Sequence, residues 1–154
     1  MSIKTLMNKE VVAAHPDETV EMVARRMSGK AVGAVVLLEA ETLAGLFTER
    51  DLLTRVVAEG RDPAATRVGD VATHDLVTMP ADASVRQCAE ELKVRNVRHL
   101  PIVEGGRLVG IISARDFFAV VAGEFEKLLE RARYDEQLRE DIDPYDHMGG
   151  AYGR

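Results

Sequence analysis

Apolar residues fall into two kinds of stretch that alternate in a fixed order, and the order occurs twice. Val20, Val23, Ala24 and Met27 recur at the spacing of one helix face, and Val85, Cys88, Ala89 and Leu92 do the same 65 residues later. Thr19 and Ser84 stand before these stretches as N-caps, just after turns at Pro16 and Pro80. Short apolar runs then predict strands over Ala34 to Leu38 and Leu100 to Val103, with return strands over Leu43 to Phe47 and Leu108 to Ile112. Glu39-Ala40-Glu41 and Glu104-Gly105-Gly106 make the hairpin turns, and the Gly pair is the stronger signal. Each return strand leads directly into a second helix, at Thr48 or Ser113. The predicted unit is strand, helix, strand, strand, helix.

Three blocks repeat in the same order. Gly45-Leu46-Phe47-Thr48-Glu49-Arg50-Asp51-Leu52 returns as Gly110-Ile111-Ile112-Ser113-Ala114-Arg115-Asp116-Phe117, and the helix stretches keep the same 65-residue offset. His15-Pro16-Asp17 answers Met79-Pro80-Ala81-Asp82 with a slip of one residue. A unit of about 60 residues buries too little surface alone, so the fold class is α+β: two βαββα repeats packed sheet to sheet, with a C-terminal helical extension. The first repeat occupies 1–60 and the second 68–123, joined by a polar linker over 61–67 after Gly60. The extension, 124–140, continues a helix on which Phe117, Phe118, Val121, Phe125, Leu128, Leu129 and Ala132 share one side. Residues 141–154 are Gly-rich and read as an irregular tail, with a dimer strap or docking peptide as the alternative.

Composition narrows the function classes. Of 154 residues 46% are hydrophobic and only 5% aromatic, so the core is built from aliphatic side chains. A net charge of −6 disfavours general binding to a phosphate backbone, and nucleic acid is not expected as a partner. Cys88 is the single cysteine, which precludes an intramolecular disulfide and a thiolate zinc cluster; a core thiol is expected there, and no metal is required. The first residues lack the apolar core of a signal peptide, and the run Ala31 to Leu38 is too short to span a bilayer. A soluble, cytoplasmic protein without a membrane partner is the expectation.

Candidate chemistry lies where strand becomes helix. Thr48-x-x-Asp51 and Ser113-x-x-Asp116 match a capping box, which explains the residue types without a ligand. Yet the junction occurs twice, each time after Gly and two apolar residues, and Arg50 and Arg115 precede the acid. A hydroxyl, a guanidinium and the positive end of a helix suit a phosphate, while an Asp one turn in can accept both hydroxyls of a ribose. Capping and binding are compatible. His15, His74, His99 and His147 show no metal-ligand spacing and no paired nucleophile, and neither a P-loop nor a Gly-x-Gly-x-x-Gly run occurs. An enzyme is therefore not expected.

Across roughly residues 3 to 122 the chain resembles the CBS-domain family. Asn96-Val97-Arg98-His99-Leu100-Pro101-Ile102-Val103 is similar to that family's lead-in to a strand, and Gly110 through Asp116 to its closing motif. The resemblance implies a two-copy module with pseudo-two-fold symmetry and two clefts that bind AMP, ADP or ATP, with S-adenosylmethionine or NAD(H) also possible. It implies a homodimer forming a four-domain disc, which signals to a regulated protein that the sequence does not identify. Carried over, one cleft uses Leu46, Thr48, Arg50 and Asp51 with Met79, Pro80, Ser84, Val97 and Arg98. The other uses Ile111, Ser113, Arg115 and Asp116 with His15, Pro16, Val20, Ala31 and Val32. Arg98 beside Arg50 favours a polyphosphate in the first, whereas Lys30-Ala31-Val32-Gly33-Ala34-Val35 lacks the family's Leu-Pro and weakens the second. The C-terminal helix and tail are expected to transmit the ligand signal. The alternative is an oligomerisation or docking module with degenerate clefts.

Overall fold

The computed structural model describes residues 2–140, so the tail expected over 141–154 lies outside the described residues. The chain divides into two compact units, Met1–Phe117 and Phe118–Arg154.

The first unit holds both repeats. Repeat one runs β1 (Ala13–Ala14), α1 (Val20–Lys30), β2 (Ala34–Glu39), β3 (Thr42–Thr48) and α2 (Glu49–Asp51), which continues as a π-helical turn over Leu52–Val57. The π-turn departs from the regular helix expected there. Thr54 donates its hydroxyl to the Arg50 carbonyl at 2.7 Å, and Ala58 N–H reaches back five residues to the Leu53 carbonyl at 2.9 Å. Repeat two runs α3 (Val68–Val71), β4 (Met79–Pro80), α4 (Val85–Val94), β5 (His99–Glu104), β6 (Arg107–Ser113) and the start of α5 (Ala114–Glu140).

The caps act as read. Thr19 Oγ1 accepts the Met22 N–H, and Ser84 with Gln87 forms a reciprocal capping box. Each sheet has three strands, β1-β2-β3 and β4-β5-β6, in which the first pair is parallel and the second antiparallel. Both hairpins carry a register shift at equivalent places, Leu37/Leu38 and Ile102/Val103. Both turns need two residues at positive φ: Gly105 and Gly106 supply them freely, whereas Ala40 (48°) and Glu41 (66°) do so against their Cβ atoms.

The repeats exchange their leading segments, a feature that the hydrophobic pattern does not disclose. Ile3, in a 3-10 turn over Ile3–Thr5, is fully buried with Cys88, Leu100, Ile102 and Ile112 of repeat two. In return Val68, Val71 and Ala72 are buried with Val23, Leu37 and Phe47 of repeat one. Fully burying one such aliphatic side chain contributes about 1.5–3 kcal/mol, so each core depends on the other repeat's first turn. Backbone bridges hold the exchange: Asn8 with Ile111 at 2.9 and 3.0 Å, and Leu46 with Thr73 at 2.9 and 2.8 Å.

The second unit, over its described residues, is the remainder of α5. Phe118, Val121, Phe125 and Leu128 are exposed on it. No helix among the described residues is long and apolar enough to cross a membrane.

Candidate functional site

Two clefts open in the first unit, each where one repeat's closing junction meets the other repeat's segments. The reason is topological. β2 begins, and β3 ends, at the same end of its sheet, because Ala34 pairs with Thr48; β5 and β6 repeat this through His99 and Ser113. The αL residues that close the preceding helices, Ala31 and Asn96, both with φ of 51°, turn the chain onto those strands. Asn tolerates that conformation through its short polar side chain, whereas Ala bears its steric cost.

The smaller cleft, about 200 Å³, is lined by Leu46, Thr48, Arg50 and Asp51 of repeat one and by Val97 and Arg98 of repeat two. At its centre lies the capping box on α2: the Thr48 N–H donates to Asp51 Oδ2 at 3.0 Å, and Thr48 Oγ1 accepts the Asp51 N–H at 3.2 Å. Asp51 is only 5% exposed. Thr73 Oγ1 donates to its carboxylate at 3.1 Å to Oδ1 and 3.2 Å to Oδ2, and Arg55 Nε stands 3.6 Å from Oδ1. Both oxygens are therefore occupied from within the chain.

The larger cleft, about 450 Å³, is lined by Ile111, Ser113, Arg115 and Asp116 together with Ala31 and Val32. Here the Ser113 N–H and hydroxyl both donate to Asp116 Oδ2, at 2.9 and 2.7 Å. Oδ1 of Asp116 accepts no hydrogen bond among the described residues; Asn8, which pairs with Ile111 as Thr73 does with Leu46, makes no side-chain bond to it. Only the larger cleft falls within the range of about 300–1,000 Å³ usual for small-molecule sites.

Six expected residues are not brought to either lining. Met79 is buried in the core of repeat two, and Val20 in that of repeat one. Ser84 is spent on the α4 cap, Pro80 is exposed, and His15 lies in an exposed turn where its Nδ1 accepts the Asp17 N–H at 3.1 Å. Pro16 packs on Gly69, where an added Cβ would stand 2.9 Å from the Pro16 carbonyl. Parallel pairing explains the misplacement: β1 starts at the cleft end of the sheet, so the residues after it lie at the far end. The residues before β1 and β4 take the expected places, Asn8, Glu10, Val11 and Val12 in the larger cleft and Thr73, Asp75, Leu76 and Val77 in the smaller. The signal was available, since a strand–helix–strand connection implies parallel strands.

Arg98, which the sequence suggests for the smaller cleft, lines both, as do Gly33, Glu49 and His99. Burial holds the His99 imidazole below the usual histidine range; Glu49 and Asp116 oppose that shift and Arg98 adds to it. His99 therefore favours the neutral form at pH 7, in which one ring nitrogen donates and the other accepts.

The family model for the CBS domain matches this chain twice, over residues 3–58 and 68–123. The chain belongs to the CBS-domain family. Curated relatives include uncharacterised protein MK0525 of Methanopyrus kandleri, 30% identical over 78% of this chain, and the mitochondrial CBS domain-containing protein CBSX3 of Arabidopsis thaliana, 31% identical over 75%. The matches span 62% and 58% of those two proteins' own lengths. YhcV of Bacillus subtilis, another CBS domain-containing protein, is 33% identical over 75% of this chain and 81% of its own. Among solved structures, the CBS-domain protein NE2398 superposes with a TM-score of 0.76 at 25% identity, over 79% of this chain and 98% of that one. The CBS domain pair of MJ0100, solved with 5′-methylthioadenosine and S-adenosyl-L-methionine, shares the fold with a TM-score of 0.74 at 19% identity, over 80% and 98%. The two repeats are thus tandem CBS domains.

Proposed function

We propose that this CBS pair is a non-enzymatic sensor that binds an adenosine-type ligand, with the Ser113/Asp116 cleft as its principal site. The observation that carries the reading is the Asp116 carboxylate: Ser113 holds one oxygen, while the other is unengaged among the described residues on the lining of the larger cleft. A ribose hydroxyl is its natural donor. Arg115 and Arg98 take the phosphate, and Val12, Val32 and Ile111 surround the base. AMP, ADP and ATP fit this chemistry best, with S-adenosylmethionine and NAD(H) as further ligands of the same class; adenosyl compounds bind the related pair of MJ0100. The smaller cleft is the secondary site, because ligand binding there competes with Thr73 for Asp51.

The non-enzymatic reading assigns these hydroxyl–carboxylate pairs to helix capping: Thr48 with Asp51 and Ser113 with Asp116 exchange reciprocal cap bonds, which accounts for them without a catalytic role. The regulated output passes through a homodimer and a partner protein, with α5 as the transmitting element. A second reading, an oligomerisation module with idle clefts, draws on the exposure of Phe118 (78%) and Phe125 (61%) on that helix.

Calorimetric titration of the nucleotide-stripped protein with AMP, ATP, S-adenosylmethionine and NADH separates the two, run beside Asp116→Ala and Asp51→Ala. The sensor reading expects micromolar binding that Asp116→Ala abolishes at the tighter site. Absence of binding by all four ligands favours the second reading. In that case, loss of self-association on removing residues 124–154 is its expected consequence.

A further inference from the structure

The two clefts share one wall, and its charges are not duplicated. Its backbone obeys the internal repeat: the Glu49 N–H donates to the Gly33 carbonyl at 3.0 Å, and the Ala114 N–H to the Arg98 carbonyl at 2.8 Å. Its side chains do not. At the 65-residue offset Gly33 stands where repeat two has Arg98, and Ala114 where repeat one has Glu49. Arg98 therefore lines both clefts, and it forms no ion pair among the described residues.

We infer that Arg98 is a shared anchor for which the two clefts compete, so that phosphorylated ligands bind them antagonistically. This rests on the adenosine-ligand reading above and adds a regulatory property to it. A guanidinium presents one planar fork and engages one phosphate bidentately. When the larger cleft takes Arg98, the smaller retains Arg50 against Glu49, Asp51 and Asp75. In the reverse case the larger retains Arg115 against Glu10, Glu49 and Asp116. The second phosphate thus meets three acids and one arginine, where the first meets three acids and two arginines. An adenosine without phosphate makes no demand on Arg98, and its two binding steps are independent of the guanidinium. The module thereby reports which of two phosphorylated ligands holds Arg98, rather than summing both.

Calorimetry on the full chain with AMP and with adenosine tests this. For adenosine, two steps are expected whose ratio reflects only statistics and the intrinsic difference between the clefts. For AMP, the ratio of second to first dissociation constant should exceed the adenosine ratio by about tenfold, within the usual span of coupling between sites. Arg98→Gln should bring the AMP ratio down to the adenosine ratio, with circular dichroism confirming a native fold. Equal ratios for AMP and adenosine in the wild-type chain overturn the inference without needing the variant. So does an unchanged AMP ratio in a folded Arg98→Gln chain, or a single equivalent of adenosine. If neither ligand binds, the adenosine reading falls and the inference with it, a result distinct from two independent AMP sites.

Discussion

Thr73 reaches from the segment before β4 and donates its hydroxyl to both carboxylate oxygens of Asp51, 22 residues earlier in the chain, at 3.1 and 3.2 Å. The bond joins the leading segment of one repeat to the closing motif of the other; Asn8, the equivalent of Thr73 beside Asp116, makes no such bond among the described residues. Thr73→Val keeps the shape but leaves a buried carboxylate short of a donor. A loss of about 1–2 kcal/mol in urea unfolding is expected, since unmet buried acceptors cost about that much. Thr73→Ser should restore most of it.

Ala31 closes α1 in the left-handed conformation, on the lining of the larger cleft. Ala31→Gly removes the Cβ clash and should raise stability by about 1 kcal/mol, read from the urea midpoint at unchanged slope. The equivalent Asn96→Gly should change little, because Asn already accepts that conformation.

Two glycines predict opposite outcomes. A Cβ on Gly69 would sit 2.9 Å from the Pro16 Cβ and carbonyl oxygen, in the contact that seats α3 on repeat one. Gly69→Ala should therefore destabilise by about 1–3 kcal/mol through overpacking. Gly29 lies in α1 with nothing within 4 Å of an added Cβ, so Gly29→Ala should stabilise by about 0.5–1 kcal/mol. Thermal melts of both variants beside wild type check the pair.

His74 sits between two carbonyls, with Nδ1 2.9 Å from Ala44 O and Nε2 2.7 Å from Gly69 O. Both ring nitrogens can donate only in the imidazolium form. The two carbonyls, Ala44 first, accordingly raise its pKa above the usual histidine value, against burial and the nearby Arg55. The stabilisation is fully present below the unfolded value of about 6.5 and is lost as pH rises through the raised folded value. His99 acts in the opposite sense: its lowered pKa means that stability is lost as pH falls below about 6.5. Urea midpoints between pH 5 and 9 should show a His74→Gln deficit that is largest at low pH and vanishes at high pH. A deficit independent of pH would remove the charge from this account.

Much of this architecture is legible in the amino-acid sequence because it rests on local rules. The helical spacing of Val20, Val23 and Met27, the caps at Thr19 and Ser84, the glycine hairpin and the 65-residue offset each follow from a few neighbouring residues. So does the grouping of Thr48 with Asp51 and of Ser113 with Asp116, which is a single helix turn. Contacts between distant segments required the tertiary structure. Parallel pairing of β1 with β2 sends Pro16 and Val20 away from the cleft and brings Val12 toward it. Exchange of the leading segments brings Thr73 to Asp51 and Asn8 to the cleft of Asp116, and only Thr73 bonds to the carboxylate, making unequal two motifs that look alike in sequence. The shared wall turns Arg98, assigned by its repeat to one cleft, into a residue of both. Local geometry is encoded by neighbours along the chain; the chemistry of a cleft depends on which ends of two sheets the folded chain brings together.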